Sequence, residues 1–349
     1  MSGSAPGVAA RKKNHDWLAL TIEEPLEPDL PICDPHHHLW DGETARVVPR
    51  YLLDEILEDV RAGHNIVSTV FIECGAMFKT DGPEPLRAVG ETEFVNGIAA
   101  MSASGLYGRT RVAAGIVGTA PLRLGAAVAP VLDAQIAAGG GRFRGIRLGA
   151  AWDPDEAVPN HRTRPPQGLF LRDDFRAGFA QLALRGLTFE AWCYHRQIPD
   201  VTALARAFHD TTIVLDHFGG PVGVGSYAGR AREVYAEWRG YVDELATCPN
   251  VVAKLGGLNM EVNGFGWHER PRPPGSQELA DATRPYYEHT IEKFGVDRCM
   301  FESNFPVDAV SVSYTVLWNS FKRLTRGYSA ADKAKLFHDT AARVYRLPG

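Results

Sequence analysis

Eight short apolar runs, each closed by turn residues and followed by a helix-like stretch, limit what this chain can fold into more than any other feature. The runs are 30–34, 66–73, 110–117, 142–148, 187–193, 212–216, 250–255 and 298–302. Helical patterning fills the gaps at 52–62, 89–104, 125–138, 172–185, 199–209, 228–246 and 278–294, and two more helices follow near 312–325 and 329–346. Runs such as IVSTVFIE and TIVLD are apolar almost throughout, as strands buried on both faces of a parallel sheet must be. Eight such units predict an α/β fold, a closed (β/α)8 TIM barrel over 29–349, with an N-terminal extension over 1–28 and extra C-terminal helices. An open doubly wound sheet is disfavoured, because its Gly-rich first crossover is missing. Gly223-Val-Gly225 with Gly229 lacks the spacing of a phosphate loop, and no GxSxG elbow occurs.

Composition removes several classes of function. With 45% hydrophobic and 23% charged residues, the 349-residue chain can bury a large core. A net charge of −5 leaves no electrostatic footprint for nucleic acid or an anionic membrane. No apolar run approaches the roughly 20 residues that span a bilayer. Arg11-Lys12-Lys13 is not followed by an apolar segment, so the expected location is cytoplasmic and the expected partner a small-molecule substrate. Barrels of this size often form homodimers, and nothing in the sequence decides the assembly. The five cysteines are dispersed without CxxC spacing, which reads as core thiols rather than a disulfide framework or a nucleophile.

In a barrel of this kind, chemistry sits at the C-terminal ends of the strands. Strand one ends in Asp34-Pro35-His36-His37-His38-Leu39-Trp40-Asp41, where His36 and His38 are two residues apart and share a face. Strand two supplies Glu73, strand four Arg147, and strand five Tyr194 and His195. Strand six supplies Asp216 and His217, strand seven Lys254 and then Asn259, and strand eight Glu302, Ser303, Asn304 and Asp308. Each has an ordinary structural reading alone: a paired lysine, a buried Glu73–Arg147 pair, a satisfied core histidine. Imidazoles from strands one, five and six converging on one mouth favour a metal or acid–base site. The loop after strand seven, from Asn263 to Pro271, is long and mixes Phe265, Trp267, His268, Glu269 and Arg270. It reads as a substrate wall that brings His268 or Arg270 to the substrate, against the simpler reading of a proline-stiffened surface excursion.

These motifs resemble the amidohydrolase superfamily, in the branch that includes 2-pyrone-4,6-dicarboxylate lactonase and sugar lactonases. The matching elements are the strand-one stretch, Phe143-Arg-Gly-Ile-Arg147, Trp192-Cys-Tyr194-His195-Arg-Gln197 and Leu215-Asp216-His217-Phe-Gly-Gly-Pro221. Lys254-Leu-Gly-Gly257 and Met300-Phe-Glu302-Ser-Asn304-Phe-Pro306-Val-Asp308 complete the set, which runs from about residue 30 to the C-terminus. The resemblance implies that His36, His38 and His217 hold one divalent ion (Zn or Mn) or, in a metal-free variant, polarise a carbonyl. It also implies that arginines grip substrate carboxylates.

The chain departs from that pattern at strand eight. Asn304 stands where the resemblance implies an aspartate base, and an amide cannot take up a proton near neutral pH. The base is expected instead among Asp308, Glu302, His195 and His217. Arg147 occupies the region of a metal-bridging lysine, so one metal or none is expected. The expected function is a hydrolase opening a lactone or similar cyclic ester of a small carboxylated substrate. Its catalytic groups are His36, His38, His195, His217, Asn304 and Asp308, and Glu73, Arg147, Tyr194, Lys254, His268 and Arg270 contact substrate. A mononuclear metal-dependent decarboxylase of small aromatic acids and a catalytically inactive binding barrel are the alternatives.

Overall fold

The computed structural model describes residues 14–42 and 48–348, so residues 1–13 of the expected extension lie outside the described residues. Among the described residues, eight parallel strands form one sheet in sequence order. They are β1 Ile32–His37, β2 Ile66–Ile72, β3 Arg111–Gly118, β4 Phe143–Gly149, β5 Thr188–Trp192, β6 Ile213–Leu215, β7 Val251–Leu255 and β8 Cys299–Phe301. The expected (β/α)8 barrel is therefore present, nearly closed and ringed by helices. The helices are α1 Leu53–Val60, α2 Val89–Ala103, α3 Ala129–Ala138, α4 Asp173–Ala183, α5 Ile198–Ala207, α6 Ala231–Leu245, α7 Ser276–Phe294 and α8 Tyr314–Leu324. Ala330–Ala334, a π-turn at Lys335–Asp339 and Thr340–Val344 follow, so the expected single helix over 329–346 is interrupted. No helix is long and apolar enough to cross a membrane.

Period-two alternation divides each strand between two environments. Ile32, Phe71, Ile116, Phe189, Leu215 and Phe301 pack outward into the large core beneath the helices. Cys33, Val70, Val117, Val214, Val252 and Met300 point inward and form an apolar layer, closed from below by Ala341, Val344 and Tyr345. Farther along the same strands buried ionisable groups replace the apolar ones: Arg147, Glu190 and Lys254, with His36 beyond a register shift in β1. The site therefore stands on an ionic layer that stands on an apolar one.

The barrel closes beyond β8. Asn304 donates its backbone N–H to His36 O at 3.0 Å, and His38 donates to Phe305 O at 2.8 Å. Asp34 ties the same seam, accepting from Ser303 N (3.0 Å), Ser303 Oγ (2.6 Å) and Tyr314 OH (3.0 Å). Residues 14–28 run across the site-side loops. Asn14 Nδ2 donates to Ala309 O (3.0 Å), Trp17 Nε1 to Arg270 O (3.0 Å), and Thr21 Oγ1 to Pro273 O (2.9 Å).

Candidate active site

A cavity of about 760 Å³ opens at the C-terminal end of the strands. Its floor is formed by His38, His217 and Asn304, with His36 buried just below. The His36 ring lies 4.9 Å from that of His38 and 4.5 Å from that of His217, centroid to centroid. His217 (φ 53°) and Asn304 (φ 56°) both adopt the left-handed conformation, which is costly for residues other than glycine and clusters at functional sites. The two glycines that follow β7 make the approach possible. A Cβ at Gly256 would run into Glu302, and one at Gly257 would overlap the His217 ring.

The second nitrogen of each ring fixes what the first can do. His38 Nδ1 donates to Ile72 O at 2.8 Å, and His217 Nδ1 donates to Glu302 Oε1 at 2.6 Å, which leaves the Nε2 lone pair on both rings. His36 Nδ1 lies between the Lys254 ammonium at 3.1 Å and Glu302 Oε2 at 2.7 Å. Lysine donation puts the ring hydrogen on Nε2, and then both His36 Nε2 and Glu302 Oε2 are buried without a hydrogen-bond partner. Shifting that hydrogen to Nδ1 would satisfy Glu302 and turn a lone pair on Nε2 outward. Burial, reinforced by Lys254, holds the His36 imidazole neutral, well below its ordinary pKa. A cation at Nε2 would resolve both orphaned atoms, so the residues present fit one divalent ion.

Two donor sets have ligand atoms within 4.8 Å of one another: His36, His217 and Glu302, and His36, Glu190 and Asp216. The second is filled by the protein's own cation. Lys254 Nζ lies 2.5 Å from Glu190 and 3.4 Å from Asp216. Asp216 also accepts from Arg147 Nε at 3.0 Å, and Tyr345 OH donates to Glu190. Burial would raise the Asp216 carboxyl, but Lys254 and Arg147 outweigh it and hold the group well below the carboxylate range. Burial drives Glu190 the other way, well above its ordinary value. Lys254 and Arg147 thus supply two cations to one buried layer that also holds Glu190, Asp216 and Glu302.

The remaining expected residues divide into those at the cavity and those away from it. Tyr194 lines it, with its hydroxyl on Pro159 O, and Trp192 stacks edge-on against His217 at 4.9 Å. Arg147 reaches the cavity but is committed to Asp216 and to Glu73 O. Glu73 is buried and pairs with Arg162. Lys254 lies under the floor and does not line the cavity. His195 is also absent from the lining: it is fully buried, its Nε2 faces Glu237 at 3.5 Å, and burial lowers it to about 4. It falls in the turn beyond β5, which carries the ring behind the barrel mouth. The loop after β7 does wall the cavity, but through Met260, Glu261 and Val262. His268 lies toward Glu261 and Glu269, and Arg270 pairs with Glu278 at 2.7 Å over the Trp267 ring. Asp308 is fully buried, and its oxygens accept from Asn304 Nδ2 and Asn259 Nδ2, each at 2.8 Å. Both oxygens are occupied away from the cavity, so Asp308 orients Asn304 rather than meeting water.

Sequence reading missed Arg162, His161 and Glu190. The first two sit on the loop between β4 and α4, which folds back over the mouth; a Cβ at Gly149 would come within 2.5 Å of the His161 ring. Arg162 donates to His161 Nε2 at 2.9 Å and to Glu73, while its side chain remains 35% exposed. Burial and the neighbouring Arg162 lower His161 to about 2, too weak a base to activate water. A second cleft, of about 310 Å³, lies behind Phe305 and Pro306 and contains none of the floor histidines.

The amidohydrolase family model matches residues 33–347. The chain belongs to the amidohydrolase family. This amidohydrolase is 33% identical, over 91% of its length and 99% of the relative's, to an uncharacterized protein of Sinorhizobium fredii. An L-fucono-1,5-lactonase of Burkholderia multivorans is 32% identical over 50% of this chain and 56% of its own. An amidohydrolase of Burkholderia multivorans, solved with bound zinc, superposes with a TM-score of 0.69 at 26% identity, covering 91% of this chain and 99% of that one. The protein is thus a hydrolase with lactonase-named homologues and a histidine–carboxylate cluster able to hold a metal.

Proposed function

We propose that this amidohydrolase opens a lactone or related cyclic ester of a small carboxylated substrate. The observation that carries the reading is the cavity itself: the His38 and His217 imidazoles line its floor over His36, and an accessible guanidinium, Arg162, stands at its side. Water adds to the lactone carbonyl carbon, the ring C–O bond breaks, and the departing oxygen takes a proton to leave a hydroxy acid. Of the three expected ligands, His36 and His217 would hold one divalent ion together with Glu302, with His38 beside them, and that ion would supply Lewis acidity for the carbonyl and for water. Asn304 donates Nδ2 to Asp308, so its Oδ1 faces the cavity and accepts a hydrogen bond from the attacking water. Arg162 grips the carboxylate, and the buried Glu73 keeps the guanidinium in place.

Acid release from carboxylated lactones, followed with a pH indicator, tests the reading. Arg162→Ala should raise KM at least about tenfold while changing kcat less, as loss of a charge-assisted contact remote from the reacting carbon predicts. Carbon dioxide release from aromatic acids without lactone opening would overturn the proposal in favour of decarboxylation.

A further inference from the structure

The cavity has two unlike sides. On the β2–β4 side, Asn160, His161 and Arg162 supply polar groups and the one accessible positive charge among the described lining residues. Across the floor, Met260 and Val262 from the β7 loop and Val307 and Val310 from the β8 loop present four aliphatic side chains. Glu261 sits at the rim of that aliphatic wall with its side chain 66% exposed, and it disfavours an anion there. Trp192 flanks the floor between the two sides.

We propose that the cavity takes an amphiphilic acid, its carboxylate on Arg162 and an aliphatic or aryl body against Met260, Val262, Val307 and Val310. Given the lactone reading above, on which this part rests, the substrate is a lactone acid bearing an apolar substituent rather than a polyhydroxylated sugar lactone. A hydroxyl pressed against the aliphatic wall loses its water without gaining a partner, at a cost of roughly tenfold in binding per hydroxyl. A methylene in the same place gains about fourfold. The scissile carbonyl then lies over His38, His217 and Asn304, midway between the two ends.

Two measurements separate this proposal from the reading beneath it. The first compares kcat/KM for δ-lactone carboxylates bearing methyl, propyl and pentyl chains with kcat/KM for L-fucono-1,5-lactone. The second measures, by calorimetry, binding of cyclohexanecarboxylates with the same chains, which cannot be hydrolysed. Both series should rise about fourfold per methylene, and the sugar lactone should fall at least about a hundredfold below the propyl probe. Arg162→Ala should weaken binding of every acid without changing the chain-length slope, and Val262→Asn should flatten the slope. Best turnover of the sugar lactone, or a flat slope in calorimetry, overturns the proposal. A rising calorimetric slope with no lactone opened upholds the amphiphilic cavity and removes the lactonase function instead.

Discussion

Asp308 and Lys254 show how single buried charges shape this site. Burial pushes the Asp308 carboxyl from its ordinary 3.8 up to about 7. The folded protein therefore holds that proton more tightly than the unfolded chain does. The stabilisation is complete below about pH 4 and is lost as pH rises through about 7. Asp308→Asn abolishes the loss, so its melting temperature relative to the parent should climb between about pH 5 and pH 8. A difference that stays flat would mean that Asp308 does not ionise in place. Lys254 faces three buried carboxylates, those of Glu190, Asp216 and Glu302. Burial alone would lower its pKa, and these three raise it instead. Lys254→Met strands that negative charge and should cost about 3–5 kcal/mol in denaturant unfolding. At this scale the sequence was legible where a side chain sits on a strand end. His38, His217 and Asn304 lie at or just past strand ends and reach the floor, with His36 just beneath it. His195, His268 and Arg270 do not, because a turn of a few residues redirects a side chain in ways that spacing does not record. Glu190 could have been found: a lone carboxylate inside the apolar run Thr188-Phe-Glu-Ala-Trp192 needs a buried partner, and Lys254 is that partner.

Elements were more legible than their joints. Every expected strand formed, because a short apolar run between turn residues has few alternatives to the interior of a parallel sheet. Helix α3 starts at Ala129 rather than 125 because Gly125 (φ 61°, ψ −143°) breaks the turn before it and Pro130 suits a helix start. The β4–α4 loop was opaque: its fold depends on Glu73, which lies far from it in sequence, and on the close approach of His161 that Gly149 permits. Residues 14–28 are another such joint. They bond to 270, 273 and 309, in the loops beside the cavity. Removing residues 1–23 should speed hydrogen exchange in 270–276 and 305–310 while leaving β3 and β4 protected. Unchanged exchange in those loops would show that the crossing segment does not order them. At the opposite pole, Tyr345→Phe takes a hydroxyl from Glu190 and should cost about 1–2 kcal/mol, read as a lower denaturation midpoint.

For the molecule as a whole, zinc uptake is the most direct test of the floor. Lys254 fills the donor set that includes Glu190 and Asp216, which leaves His36, His217 and Glu302 to hold one cation. Titration should saturate at one equivalent per chain and raise the melting temperature, and a chelator should reverse the rise. A second tight equivalent would place a metal among Glu190 and Asp216 and contradict the role given to Lys254. The seam where the ring of strands closes carries a further consequence. His38 and Asn304 join the first strand to the segment after the last through their backbones while their side chains form the cavity floor, and His36 joins the same seam from just beneath. The clasp of the barrel and its working surface are one set of residues. A partly opened barrel cannot retain an assembled floor, so heat inactivation and loss of the closed sheet should occur as a single event, with no folded yet disarmed species between them.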